Sequence, residues 1–367
     1  MAAGVWDRRV LLCASKKRMI VLNDKIDIKS MMPDELSVLF QEMGHPAFRA
    51  RQTFSWLSGG CGSWEEMSNL PKSLRAKLAD SCHLYAPETL RKLVSERDGT
   101  VKYLWKLFDG NAVETVVMRY RYGNTVCISS QVGCRQGCAF CASAIGGKVR
   151  DLAASEMLDE VICSEKESGL PISNIVLMGI GEPLDNFDNV MRFLELINHP
   201  EGRNIGLRHI SLSTCGIIER FEDLAARDLQ LTLSVSLHAP DDETRSRLMP
   251  ANRGRGVDAL FEACRKYFLD TGRRISFEYA MIDGVNDAPW QAELLASRVR
   301  PLGAHVNLIP LNRVEERSFA PSSTSVIRRF TDILKKNGVN VTVRRRLGSD
   351  VNASCGQLRR NSVESQK

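Results

Sequence analysis

The sequence predicts an α/β fold: a partial, open barrel of parallel strands, preceded by a small N-terminal helical domain and a short β-hairpin extension. Three observations carry this. Short apolar runs at 175–178, 210–213, 231–236, 275–280 and 306–309 alternate with helical patterns at about 155–166, 186–197, 257–268 and 290–299. Strands apolar on both faces and separated by helices make a parallel sheet. Five or six such units fall short of the eight that close a barrel, so the sheet stays open.

The elements follow in order. Residues 1–30 have no period and read as a disordered leader or an upstream start, with those before Met19 dispensable. Pro33 opens a helix carrying Leu36, Leu39, Phe40 and Met43, closed by Gly44. Helical patterns at 48–57 and 73–79 follow, and Ser63 and Glu66 have capping-box spacing. These define a helical accessory domain over 31–90. Asp109-Gly110, flanked by strand patterns at 101–108 and 112–120, signals a hairpin within an extension over 91–119. A third strand, 125–129, leads into a core domain of 120–350, whose site is expected at the C-terminal ends of its strands. Residues 351–367 carry Cys355 and a polar tail from Arg359.

The chain has 367 residues and a net charge of +6 with both signs mixed, which tolerates an RNA partner without demanding one. No apolar stretch of about 18 residues exists, so no membrane helix is expected. The apolar run near the start is too short for a secretory signal. A cytoplasmic location follows, where eleven cysteines are thiols, metal ligands or redox groups rather than a disulfide framework. Cys13, Cys61, Cys82, Cys163, Cys215 and Cys264 sit singly and read as buried, inert thiols.

Cys134, Cys138 and Cys141 differ. They form a CxxxCxxC triplet just after a strand, with Phe140 before the third cysteine. Structural zinc takes four ligands, usually from two separated pairs, and no second pair is present. A [4Fe–4S] cluster held by three cysteines leaves one iron open to a substrate such as S-adenosylmethionine (SAM). The spacing favours such a cluster over chance clustering or a three-ligand zinc site, and SAM at the open iron could be cleaved to a radical, chemistry supplied by the cofactors and positioned by the protein.

Further segments narrow the reading: Met178-Gly179-Ile180-Gly181-Glu182-Pro183-Leu184, Leu212-Ser213-Thr214-Cys215-Gly216, Ser236-Leu237-His238-Ala239-Pro240, Asn307-Leu308-Ile309-Pro310 and Cys355-Gly356-Gln357-Leu358. Together with the triplet they resemble the RlmN-type radical-SAM RNA adenine methyltransferases, over about residues 30 to 360. The resemblance implies a partial (βα)6 radical-SAM barrel that methylates adenosine C2 in 23S rRNA and in tRNA, 3′ of the anticodon. C2 is an electron-poor carbon with no lone pair, so ordinary methyl transfer cannot reach it. By resemblance, Cys134, Cys138 and Cys141 hold the cluster. Gly181, Glu182, Ser213, Ser236, Leu237, His238 and Asn312 contact SAM. Cys355 carries the methyl group as S-methylcysteine, Glu114 accepts the C2 proton, and Cys127 resolves the protein–RNA thioether by forming a disulfide with Cys355. An electron donor such as a flavodoxin or ferredoxin is implied, and a monomer is expected.

Taken singly, these residues say less. Cys127 would be a core thiol, Glu114 a solvated strand residue, Cys355 a surface thiol, and His238 a hydrogen-bonded structural histidine. Arg344-Arg345-Arg346 and Arg359-Arg360 flank Cys355 and would grip phosphates. Arg49, Arg51, Phe54 and Trp56 of the helical domain would help recognise RNA shape. The rival readings are Cfr-type methylation at adenine C8 and a non-catalytic iron–sulfur RNA-binding or redox module.

Overall fold

The computed structural model describes residues 21–22, 25–354 and 356–358. They form two compact units, one up to Ala86 together with Glu195–Asn204, the other Pro87–Leu194 together with Ile205 onward. In the first unit β1 (Val21–Leu22) and β2 (Lys25–Asp27) are antiparallel, and β3 (Cys82–His83) joins β2 in parallel. Between them lie α1 (Pro33–Glu42), α2 (Arg49–Ser58) and α3 (Lys72–Ser81). Pro33 takes the first helical position, where no amide is needed, and the Met32 N–H donates to Glu35 at 2.8 Å. Leu36, Leu39 and Phe40 of α1 and Phe54 and Leu57 of α2 are buried. The α1 set recurs at three- and four-residue spacing and the α2 pair at three, which puts each on one helical face.

Two expectations change here. Residues 25–30 are not part of an unstructured leader: they form β2 and a 3-10 turn, with Ile28 and Lys29 buried. Ser63 and Glu66 do not open a helix. Residues 64–66 make a turn, and the Glu66 carboxylate accepts from the Gly62 N–H at 3.0 Å. The expectations for Cys13 and for residues before Met19 lie outside the described residues.

The second unit is built on a ten-stranded sheet. A meander of β4 (Glu88–Val94), β5 (Val101–Lys106) and β6 (Ala112–Tyr120) leads antiparallel into β7 (Gly123–Cys127). A separate hairpin of β8 (Gln131–Gly133) and β9 (Lys148–Asp151) follows. Then come α4 (Ala154–Ser168), β10 (Ile172–Leu177), α5 (Phe187–Asn198), β11 (Ile210–Thr214), α6 (Phe221–Ala225) and β12 (Thr232–Ser236). The chain continues through α7 (Asp242–Leu248), α8 (Val257–Thr271), β13 (Ile275–Met281), α9 (Pro289–Val299), β14 (His305–Pro310), α10 (Thr324–Lys336) and β15 (Asn340–Val343). The sheet order is β15-β14-β13-β12-β11-β10-β7-β6-β5-β4, parallel from β15 to β7. Strand–helix units run from β7 to α10 and a last strand follows, which is the expected partial (βα)6 barrel.

The parallel strands are not apolar on both faces. Leu212, Leu233, Val235, Phe277, Val306 and Leu308 are fully buried, while the alternate positions carry Ser211, Ser213, Ser234, Ser236, Ser276, Glu278 and Asn307. These polar groups bond across the inner face: Ser211 to Ser234 at 2.9 Å and Asn307 to Glu278 at 2.7 Å. Period-2 alternation of this kind means that one face meets packed helices and the other a polar lumen. Among the described residues no helix is long and apolar enough to cross a membrane.

Candidate active site

The loop between β8 and β9 carries Cys134, Cys138 and Cys141. Its base is pinched: a Cβ at Gly133, which has φ +77°, would run into the Gly147 carbonyl oxygen. Arg135 forks onto Asp185 with bonds of 2.8 and 2.7 Å, and the Ala139 N–H donates to Leu248 O at 2.8 Å. The three half-buried thiols line one cavity of about 160 Å³ at the C-terminal ends of the strands. Burial pushes the Cys134 thiol up to about 12 and raises Cys138 and Cys141 as well. Ligation requires thiolates, so binding a metal centre here releases protons. Among the described residues no three His, Cys, Asp or Glu side chains converge at single-ion distance. Three soft thiol donors on one loop, lining one cavity, are a donor set that fits an iron–sulfur cluster.

The opposite wall is the turn after β10. A Cβ at Gly179 would lie 2.5 Å from Ile128 O, and one at Gly181 would lie 2.6 Å from the Gln131 Cβ. Only glycine lets this turn close on the chain leaving β7, and Gly181 has φ +108°. Glu182 spends both carboxylate oxygens on backbone, accepting from Leu184 N at 3.0 Å and Cys215 N at 2.7 Å. It thereby ties this turn to the end of β11. Gly181, Glu182, Ser213, Ser236, His238 and Asn312 all line the cavity. Leu237 does not: its side chain is buried in the core. His238 has φ +57° and accepts from Ala280 N at its Nδ1, 2.9 Å away, which leaves Nε2 as the donor. Burial, helped by the Arg245 charge, lowers this imidazole to about 3, so it is neutral. Phe140 meets its ring edge-on at 4.9 Å.

Sequence reasoning missed two residues of this site. Arg245 is buried, and its guanidinium donates to Leu237 O, Cys215 O, Ser236 O and Asn252 Oδ1 at 3.1, 2.7, 3.3 and 2.6 Å. All four are neutral oxygens, and the Arg245 charge opposes the burial that raises Cys138. Glu278 also lines the cavity, held by Asn307 and 4.0 Å from Arg344 Nη1. The one cue to Glu278 was its inward register on β13.

Beside this cavity, Cys127 packs with Val116, Met118, Leu347, Ala353 and Leu358. The C-terminal segment is bound there at several points. Lys102 Nζ donates to Asn352 O at 3.0 Å, Ala142 N to Gly356 O at 2.8 Å, and Ser143 Oγ to Leu358 O at 2.8 Å. Cys355 and Arg359-Arg360 lie outside the described residues. Glu114 is not the solvated residue that its strand pattern suggested. It is buried and paired with Lys102 at 2.7 Å, without lining the cavity of the thiols. Among the described cysteines none is in a disulfide. Cys61, Cys82 and Cys264 are buried single thiols, Cys163 is half-buried, and Cys215 lines the cavity.

With this geometry in place, comparison with known proteins is direct. Residues 128–295 match the model of the Radical SAM superfamily, and residues 26–84 match the Ribosomal RNA large subunit methyltransferase N-terminal domain. The class is therefore a radical SAM enzyme. A probable dual-specificity RNA methyltransferase RlmN from Alkaliphilus metalliredigens is 46% identical over 344 residues, covering 94% of this chain and 98% of the relative. One from Clostridium acetobutylicum is 48% identical over 330 residues, covering 90% and 96%. The structure of a radical SAM methyltransferase from Sphaerobacter thermophilus superposes with a TM-score of 0.87 at 42% identity, covering 91% of this chain and 99% of that one. The chain belongs to the RlmN family: it is a SAM-dependent radical RNA methyltransferase, with a [4Fe–4S] cluster and SAM as its cofactors. That sets aside the reading as a non-catalytic module.

Proposed function

We propose that this enzyme works in the cytoplasm and methylates C2 of adenosine in 23S rRNA and in tRNA, 3′ of the anticodon. When bound, the cluster and SAM supply the methyl group and the one-electron chemistry that an unactivated ring carbon requires. Cys134, Cys138 and Cys141 hold the cluster. Gly181, Glu182, Ser213, Ser236, His238 and Asn312 hold SAM, with Leu237 setting the backbone between its neighbours. Cys355 carries the methyl group on its sulfur. Carbon–carbon bond formation leaves the base joined to that sulfur as a thioether. Glu114 takes the C2 proton. Cys127 then forms an S–S bond with the Cys355 sulfur as the C–S bond to the base breaks, and the released carbon takes up the thiol proton to become methyl. The hydrogen atom first lost from the S-methyl group and the one surplus electron would pass to the SAM and cluster chemistry.

One observation supports these roles above the others. The chain on either side of residue 355 is fastened to both partners that the chemistry needs. Gly356 bonds to Ala142, beside Cys141, while Ala353 and Leu358 pack against Cys127. Glu114 lies two residues along β6 from Val116, whose register partner is Cys127.

The test is anaerobic incubation with SAM, a reductant and unmodified rRNA or tRNA, followed by nucleoside mass spectrometry. 2-Methyladenosine in both RNAs is expected, whereas 8-methyladenosine would overturn the C2 assignment. Cys127→Ala should accumulate a covalent protein–RNA adduct. Normal turnover to free methylated RNA would make Cys127 a core thiol only.

A further inference from the structure

A second cavity, of about 380 Å³, opens on the inner face of the barrel near the N-terminal ends of β7, β10 and β11. Tyr120 and Tyr122, where β6 turns into β7, stack there with centroids 5.0 Å apart and planes 11° from parallel. Tyr122 is 72% exposed, the most of any large apolar or aromatic side chain among the described residues. Its outer face is open. Arg208, just before β11, lines the same cavity with Arg344 and Arg345, just after β15, and no Asp or Glu does.

This cavity leads to the chemistry. Met118, Tyr120, Met178, Arg344 and Arg345 also line the space beside Cys127, and Met178 and Arg344 reach the cavity of the cysteine triplet. An open aromatic face suits a planar base, whatever its identity. Arg208 and Arg345, in a lining that holds no Asp or Glu, suit phosphate oxygens, whereas Arg344 lies 4.0 Å from Glu278. One ligand class combines planar rings with phosphates at nucleotide spacing.

We infer that this cavity is a nucleotide subsite, in which an unpaired base adjoining the target adenosine stacks on Tyr122 and its flanking phosphates rest on Arg208 and Arg345. The subsite rests on RNA being the substrate. It supplies what base extrusion requires, a place to hold the neighbours while the target leaves its stack.

The test is fluorescence anisotropy with the full-length protein and a labelled RNA hairpin whose loop contains unpaired adenosine, across a series of salt concentrations. Tyr122→Ala should weaken binding by about tenfold, and Tyr122→Phe, which keeps the ring, should bind like the parent. Arg208→Ala and Arg345→Ala should each lower the slope of log affinity against log salt by about one. Iron content and melting temperature should not move, because all three side chains are exposed. Parent-like affinity and slopes in the Tyr122→Ala and arginine variants would overturn the subsite and leave the RNA methyltransferase reading standing. A parent protein that binds no RNA would overturn both.

Discussion

Glu160, on α4, accepts from the Ser129 N–H at 3.2 and 3.0 Å and from the Thr115 hydroxyl. Burial nonetheless pushes its carboxyl up to about 8 from an ordinary 4.5. A group that holds its proton more tightly in the folded chain stabilises it fully below the unfolded value, and loses that contribution as pH rises through the folded one. The melting temperature should therefore fall between about pH 5 and 9. Glu160→Gln should flatten that decline and melt higher than the parent at the alkaline end, as read by calorimetry across pH. Arg245 poses the opposite case. Arg245→Met would strip four buried oxygens of a charged donor, and a loss of about 3–5 kcal/mol in urea unfolding is expected, with Arg245→Lys recovering part. Nothing in the sequence separates Arg245 from Arg247 two residues on. Packing alone makes one a buried tie between strand ends and leaves the other in solvent.

The cysteine loop is an element whose chemistry was legible in the sequence, because three thiols within eight residues carry their meaning in their spacing. Its mechanical support was not. β8 and β9 are too short for alternation to show, and the pinch at Gly133 depends on Gly147, which is far along the loop. Gly133→Ala should pry this hairpin apart. The expected outcome is iron content below half of the parent's after anaerobic reconstitution, with far-UV circular dichroism unchanged; full iron loading would show that the loop tolerates the side chain. The same limits explain the missed edges of the sheet. β4 is a largely exposed edge strand carrying Glu88, Arg91 and Lys92. Charges that guard an edge against pairing also erase its strand pattern. The inner-face serines of β11 and β12 were visible as alternation, but were read through their apolar neighbours.

Across the whole second unit, the open side of the sheet and the stretch 344–354 with 356–358 belong together. After β15 the segment from Arg344 to Leu358 reaches the meander, where Ser95 Oγ donates to Asp350 at 2.7 Å, and then returns to the cysteine loop through Ala142 and Ser143. These bonds make the tail's order conditional on the loop's. Binding that orders one segment lowers the opening frequency of whatever is fastened to it. Removing iron with a chelator should therefore speed hydrogen exchange at Ala142 and across 347–358, with little change in α8 or α9, as mass spectrometry of peptic fragments would show. Equal rates in both states would mean that the two segments open independently. Limited proteolysis should accordingly cut the iron-free protein within 347–354 sooner than the iron-loaded protein.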